Sequence, residues 1–332
     1  MKILSIIGTR PQYIKIKPFY DYCNINNIDH KIIDTLQHYS KNVSKDIIDD
    51  LEIRISYSID PVVTSEISFI CDCMKKLEKI IKKENPDYVL VYGDTNSTFC
   101  ASLVSYKMGI PVAHIEAGLR CGNNKIPEEI NRIFSDTVSN LKFCPSRQSI
   151  KNLKEGVYSG DLEYELLNKI NPKINYLDYG IMTIHRQSNV NIGRLEKILS
   201  FCEKIPRNIK FYVHHRTRPI LENIQVPKNI VLKDPCNYST MVSEMSSCAF
   251  IITDSGGIQK TAPFFGKKSL IVRDKIEWKE TEKFGYVKKC TFSEKNIQWL
   301  LTNDLKRDKL FYMNGNKTPS EIIYNKIMDS IE

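Results

Sequence analysis

Short apolar runs recur along this chain, and each stops at a polar or glycine-bearing junction. Lys2 to Ile7 stops at Gly8-Thr9-Arg10-Pro11, Tyr88 to Tyr92 at Gly93-Asp94-Thr95, and Val112 to Ile115 at Glu116-Ala117-Gly118. In the second half Gly180 to Ile184 stops at His185-Arg186, Phe211 to Val213 at His214-His215-Arg216, and Ser269 to Val272 at Arg273. Stretches of helical periodicity separate the runs, near Gln12 to Asn24, Ser65 to Lys83, Gly193 to Lys204 and after Pro127. Continuous apolar strands alternating with amphipathic helices form parallel sheets covered on both faces. In open α/β sheets ligands bind beyond the carboxyl ends of the strands, where this chain gathers its polar residues.

The pattern weakens between about Glu155 and Tyr176, which marks a crossing between two such units. The expected architecture is α/β, with two Rossmann-like doubly wound domains facing a cleft. Residues 1–160 form the N-terminal domain with the carboxylates, residues 161–315 form the C-terminal domain, and the amphipathic tail 316–332 returns to pack on the first. The likeness of the halves is architectural, not a sequence repeat.

The junction Ile252-Thr253-Asp254-Ser255-Gly256-Gly257 reads as strand, sharp turn and first turn of a helix. Unpaired N–H groups at a helix start attract anions, and glycines let an anion approach without a Cβ in the way. The same residues would also serve an ordinary turn capped by Asp254 or Ser255.

A net charge of +9 over 332 residues suits an anionic partner. The lysines are scattered through amphipathic segments, so nucleic acid is not indicated. Ten cysteines lie singly apart from Cys71-x-Cys73, the usage expected of reduced residues in a cytoplasmic protein. The opening residues are too short for a signal peptide, and no apolar run reaches the roughly 18 residues of a membrane span. Gly8-Thr9-Arg10 fails the dinucleotide fingerprint and no P-loop is present. His214-His215 lacks the carboxylates of a metal site, and no metal is expected.

The junctions together resemble the non-hydrolysing UDP-N-acetylglucosamine 2-epimerase family. The likeness rests on Gly8-Thr9-Arg10-Pro11-Gln12-Tyr13-Ile14-Lys15, Gln37-His38, Gly93-Asp94-Thr95-Asn96-Ser97-Thr98, His114-Ile115-Glu116-Ala117-Gly118-Leu119-Arg120, Pro127-Glu128-Glu129-Ile130-Asn131-Arg132, His185-Arg186 and Asp254-Ser255-Gly256-Gly257-Ile258-Gln259. It spans nearly the whole chain and implies a glycosyltransferase-B-like fold, with UDP held mainly by the C-terminal domain. It also implies a UDP-sugar substrate, no cofactor, and Asp94, Glu116, Glu128 and His185 as catalytic residues. Arg10, His185, Ser255 and Gly256 would hold the diphosphate, and Lys15 would support the carboxylates. Gln37, His38, Arg120, Arg186, His214, Tyr238, Gly257 and Arg273 complete the expected binding set, with Glu277 and Glu280 toward the ribose. A homodimer is expected.

Three departures stand out. The family usually has glycine where Leu36 stands and often Glu at Gln187. It commonly shows Gln-Glu-Glu-Ala-Pro where this chain has Gln259-Lys260-Thr261-Ala262-Pro263. The second of those glutamates is a ribose-binding group in the family. The tracts Lys125 to Glu128 and Arg273 to Glu280 are similar to the branch acting on modified sugars such as UDP-2,3-diacetamido-2,3-dideoxyglucuronate. Related enzymes act on UDP-N-acetyl-L-quinovosamine.

The proton at C2 of a 2-acetamido sugar has no neighbouring carbonyl to acidify it. Elimination of UDP across C1–C2, leaving a bound glycal, followed by protonation from the other face and re-addition, avoids that obstacle. Such a route needs an acid, a base and stabilisation of the departing diphosphate. A glycosyltransferase, a hydrolysing epimerase and a non-catalytic sugar-nucleotide binder are the alternatives.

Overall fold

A computed structural model describes residues 1–37, 41–302 and 305–331. The chain divides into two compact units, Met1–Lys169 with Tyr312–Glu332, and Ile170–Phe311.

The strands of the first unit are β1 (Lys2–Ile7), β2 (Asp29–Asp34), β3 (Tyr57–Ser58), β4 (Tyr88–Tyr92), β5 (Val112–Ile115), β6 (Leu141–Cys144) and β7 (Val157–Tyr158). Its helices are α1 (Arg10–Ile25), α2 (Lys41–Asp50), α3 (Glu66–Glu84), α4 (Asn96–Lys107), α5 (Pro127–Val138), α6 (Arg147–Ile150) and α7 (Leu162–Ile170), whose last residue begins the second unit. All strand pairs are parallel, in the order β3-β2-β1-β4-β5-β6-β7. Every residue of β4 and β5 is buried, which is why β4 reads as an unbroken apolar run and β5 departs from one only at His114. Leu4, Ile6, Val89 and Val91 pack with Phe69, Leu77 and Ile81 of α3 on one face of the sheet.

The second unit holds β8 (Tyr179–Thr183), β9 (Asn208–Tyr212), β10 (Ile230–Lys233), β11 (Phe250–Thr253), β12 (Lys268–Ile271) and β13 (Val287–Lys289). Between and after them run α8 (Ile192–Glu203), α9 (Arg218–Leu221), α10 (Tyr238–Ser247), α11 (Gly256–Phe265), α12 (Lys279–Lys283) and α13 (Glu294–Leu301). The order is β10-β9-β8-β11-β12-β13, again parallel throughout. Met182, Phe211, Phe250, Ile252 and Leu270 form its core with Leu195, Ile198 and Leu199 of α8.

The last helix, α14 (Pro319–Asp329), returns to the first unit. Its Ser320 N–H and hydroxyl donate to the buried Glu165 carboxylate at 2.9 and 2.8 Å, and its Tyr324 ring lies 5.7 Å from Tyr22 of α1. Among the described residues no helix is long and apolar enough to cross a membrane.

Both sheets have the doubly wound order in which the chain reverses direction between two central strands, β1 and β4 in the first unit and β8 and β11 in the second. Loops leaving such a pair part company, and the gap between them is where this topology binds ligands.

Candidate active site

At the first switch point Gln12 ties the two loops together. Its carbonyl accepts from the Gly8 and Thr9 N–H groups at 2.8 and 3.1 Å, and its amide donates to the Tyr92 carbonyl at 2.6 Å. Arg10 and Pro11 therefore open α1 at a defined distance from the end of β4. Lys15, one turn further on, makes an ion pair with Glu116, the residue that follows β5. An adjacent ammonium favours the charged form of a carboxylate. A Cβ on Gly93 would stand 3.4 Å from the Lys15 Nζ and 3.5 Å from the Glu116 Oε2, so the turn carrying Asp94 lies directly against this pair.

Glu116 has φ +69°, in the left-handed region that costs a residue with a Cβ of order 1 kcal/mol or more. Strain of this kind survives where the surroundings over-determine a conformation, and it concentrates at functional sites. Asp94 is ion-paired with Arg132 of α5, while Asn131 donates to the Asp94 carbonyl at 3.0 Å. Glu128 sits exposed in the first turn of α5 and takes part in none of these ion pairs. Its neighbour Glu129 is buried, accepts from the N–H groups of Cys121 and Gly122 at 3.0 Å, and pairs with Arg132 at 3.2 Å. Burial alone would raise the Glu129 carboxyl, but those donors outweigh it and hold the group below the usual range. Arg132 and Glu129 were not singled out from the sequence as site residues. The Asn131-Arg132 ending of their motif was the available signal.

Gln37 accepts from the Ser97 N–H and hydroxyl at 2.9 and 2.8 Å, a loop-fastening role at the start of α4. Leu36 before it has φ +49°, which accounts for the glycine usual at this position in the family it resembles. His38 lies outside the described residues. Arg120 pairs with buried Asp136 at 2.6 Å.

The second switch point is built mainly from backbone donors. Asp254, fully buried after β11, accepts from the His185 and Arg186 N–H groups at 3.1 and 2.9 Å, from Asn189 Nδ2 at 2.9 Å and faces His185 Nδ1 at 3.1 Å. Burial pushes its carboxyl up, the hydrogen bonds push it down, and the net is a value below the aspartate norm. The loop after β8 is thereby locked to the loop after β11. Ser255 caps α11, and Gly256 and Gly257 are that helix's first residues.

The glycines are not equivalent. A Cβ on Gly256 would stand 2.6 Å from Glu277 Oε2 and 3.7 Å from Arg273 Nη1, whereas on Gly257 its nearest neighbour is 3.9 Å away. Arg273 in turn donates to Glu277 at 2.6 Å. The Arg273 Nη1 and the Arg186 Nε are buried and have no hydrogen-bond partner among the described residues. A hollow of about 410 Å³ opens beside Arg273, lined also by Ser188, Asn189, Arg194 and Asp274. The His214 ring lies 5.6 Å from His185 and 3.9 Å from His215. Tyr238 begins α10 and is buried, and Glu280 is in the first turn of α12. Thr261 turns its hydroxyl onto the Gly257 and Ile258 carbonyls of its own helix, 3.2 Å away from each. Lys260 is buried with its ammonium 5.6 Å from the Trp278 ring centre. Among the described residues no group of three His, Cys, Asp or Glu side chains is placed to hold a metal ion.

The first unit thus offers ion-paired carboxylates and the second a glycine-opened helix start together with half-buried arginines that each bury one nitrogen. The family model described as UDP-N-acetylglucosamine 2-epimerase matches residues 22–319. A UDP-N-acetylglucosamine 2-epimerase homolog from Methanococcus maripaludis is 38% identical over 86% of this chain and 87% of its own length. The UDP-2,3-diacetamido-2,3-dideoxy-D-glucuronate 2-epimerase of Pseudomonas aeruginosa is 36% identical over 84% of this chain and 85% of its own. Among solved structures, the Methanocaldococcus jannaschii UDP-GlcNAc 2-epimerase in complex with UDP-GlcNAc and UDP superposes with a TM-score of 0.86, at 29% identity, over 99% of this chain and 100% of that one. The two parallel sheets with alternating helices are therefore the glycosyltransferase-B-like arrangement.

Proposed function

The chain belongs to the UDP-N-acetylglucosamine 2-epimerase family, and we propose that it inverts C2 of a UDP-linked 2-acetamido sugar without releasing the nucleotide. It is accordingly an isomerase acting on a UDP-2-acetamido sugar. The sugar is UDP-N-acetylglucosamine or a modified derivative, and the likeness to the diacetamido-glucuronate enzyme favours the latter.

The observation that carries the reading is Glu116, held in a left-handed conformation against Lys15 and beside the turn of Asp94. Two carboxylates at neighbouring strand ends can serve as acid and base on opposite faces of one carbon. Asp94, Glu116 and Glu128 are assigned the proton transfers at C2, Glu128 reaching the sugar from the exposed first turn of α5. Lys15 and Arg132 keep Glu116 and Asp94 in place. Leaving-group stabilisation falls to Arg10 in the first unit. In the second it falls to the start of α11 at Ser255 and Gly256, with His185, Arg186 and Arg273. The buried, unpartnered nitrogens of Arg186 and Arg273 support an anion there, because a guanidinium N–H left dry and unpaired is costly until one binds. Glu277 now rests on Arg273, and it is assigned to the ribose hydroxyls once the diphosphate takes over that guanidinium. Thr261 is bonded into its own helix, which supports moving the ribose contact from that position to Glu277 and Glu280.

Cys23, Cys73, Cys100, Cys144, Cys202, Cys248 and Cys290 are buried thiols outside any disulfide, which supports a reducing, cytoplasmic setting. Ile130 and Ile133 of α5, with Ile126 just before it, are exposed apolar residues on one side of the helix start, which supports a homodimer.

The test is to incubate the protein with UDP-N-acetylglucosamine and with UDP-2,3-diacetamido sugars in deuterium oxide and follow C2 by NMR. An epimer carrying deuterium at C2 and still joined to UDP is the expected product. Free sugar, transfer to an acceptor, or no change with either substrate class would contradict the reading.

A further inference from the structure

Beneath the carboxylates lies a buried polar group that the proposed chemistry does not use. His114 is the third residue of β5, two before Glu116, and its side chain is fully buried. Its Nε2 faces the Gly93 carbonyl at 2.7 Å, and its Nδ1 faces Asp136 Oδ1 at 2.7 Å. Asp136 lies in α5, and its other oxygen accepts from the Gly118 N–H at 3.2 Å and from Arg120 at 2.6 Å. One buried histidine therefore links three elements: the turn after β4 that carries Asp94, the loop after β5 that carries Glu116, and the helix that supplies Arg132 to Asp94. Both of its partners accept, since a carbonyl has no hydrogen to give and Asp136 is held as a carboxylate. Burial alone would raise the Asp136 carboxyl, and the contacts with His114 and Arg120 more than reverse that. The carbonyl of Gly93 can only accept, so the Nε2 of His114 donates to it.

We propose that His114 and Asp136 are positioning residues for the two reacting carboxylates, forming a brace that sets the Gly93–Asp94 turn and the Glu116–Arg120 loop at one fixed separation. The proposal deepens the epimerase reading and rests on it. A buried ionic network that merely added stability would be a poor bargain, because an apolar replacement of similar shape often does as well. Its value here is geometric. Glu116 occupies a strained conformation that needs neighbours to hold it, and the brace grips the residues on either side: His114 two before it and Gly118 two after it. Displacement of a reacting group by about 1 Å costs on the order of a hundredfold in rate. Arg120, expected to bind substrate, is by this account engaged with Asp136 and closes the outer end of the brace.

The experiment compares His114→Gln, His114→Ala and Asp136→Asn with the wild-type protein. Glutamine can keep the donation to Gly93 while losing that to Asp136. For the folded variants, C2 deuterium exchange and kcat are expected to fall together by roughly tenfold to a hundredfold. KM and UDP affinity should change little, and His114→Gln should retain more activity than His114→Ala. Melting curves separate this from a purely structural role, which predicts lowered Tm with wild-type exchange per folded molecule. That outcome in both His114→Gln and Asp136→Asn would overturn the proposal. Nitrogen NMR of the unmutated protein gives a readout that needs no substrate: a hydrogen is expected on the Nε2 of His114, facing the Gly93 carbonyl, and an Nε2 without one would also overturn it. A wild-type protein that exchanges no UDP-2-acetamido sugar would instead contradict the epimerase reading, leaving the NMR result to decide the brace.

Discussion

The two switch points share a strand order and differ in what they present. In the first unit the loops after β1, β4 and β5 carry Lys15-paired Glu116 and Arg132-paired Asp94, ionisable side chains held by cations. In the second, the acid at the matching place, Asp254, is fully buried and spent on binding the next loop, and what remains open is backbone at a helix start. One topology thus supports two kinds of chemistry. Side-chain carboxylates can move protons, while backbone N–H groups and guanidinium groups can hold a phosphate but transfer nothing. On the proposed reading the first unit reacts and the second binds.

The largest effect that could break this contrast is at Asp94. Asp94→Asn keeps the shape and removes the ionisable group, so turnover is expected to fall by roughly a hundredfold or more. UDP affinity by calorimetry should change little. A variant that turns over normally but binds UDP poorly would reverse the roles of the two units.

Asp254 is the next test. Asp254→Ala leaves the buried N–H groups of His185 and Arg186 without their acceptor, at a cost of about 2–3 kcal/mol of stability. The sign of its pH dependence follows from its lowered carboxyl. The contribution is fully present above the ordinary aspartate value of 3.8 and is lost as the pH falls through the lower folded value. The stability gap between wild type and Asp254→Asn in urea is therefore expected to narrow in strong acid and to stay constant from pH 5 to 7. A gap that widened in acid would mean the carboxylate is not the stabilising form.

A smaller effect separates the two glycines of α11. Gly256→Val drives a side chain into the place of the Glu277 carboxylate, which can swing aside, so the protein should fold while UDP binding weakens by about tenfold or more. Gly257→Ala meets nothing closer than 3.9 Å and should weaken it far less. Equal losses at both positions would point to loss of helix-start flexibility and not to a blocked approach.

Much of this contrast was legible in the sequence. The buried strands β4 and β11 announce themselves as apolar runs, and the junctions that follow them are where the polar residues stand. The Gly-Gly turn and the carboxylates at strand ends could be picked out by residue type alone. Strand order could not, because periodicity says nothing of which strand lies beside which, and the switch points depend on that order. The helix Leu162–Ile170 was also hidden, lying in a stretch whose pattern had weakened. Partner choice was equally hidden. Arg120 reads as a substrate ligand until Asp136 is seen beside it, and nothing in the sequence shows that Glu129 gathers three donors, from Cys121, Gly122 and Arg132. Leu36 shows the reverse case, where a departure from the family pattern becomes intelligible once its φ of +49° is known.

That residue supplies the smallest prediction. Leu36→Gly relieves a left-handed backbone and should stabilise the protein by at most about 1 kcal/mol, offset by greater chain freedom in the unfolded state. A clear loss of Tm would show that the Leu36 side chain contributes more through packing than its conformation costs.

The most direct test of the division between reacting and binding units is a pair of readings on Glu116→Gln: the rate of C2 deuterium exchange per bound UDP-sugar, and the affinity for UDP. The account predicts exchange lowered by roughly a hundredfold or more with UDP affinity close to that of the wild type. Wild-type exchange in this variant, or UDP affinity lost in step with exchange, would contradict it.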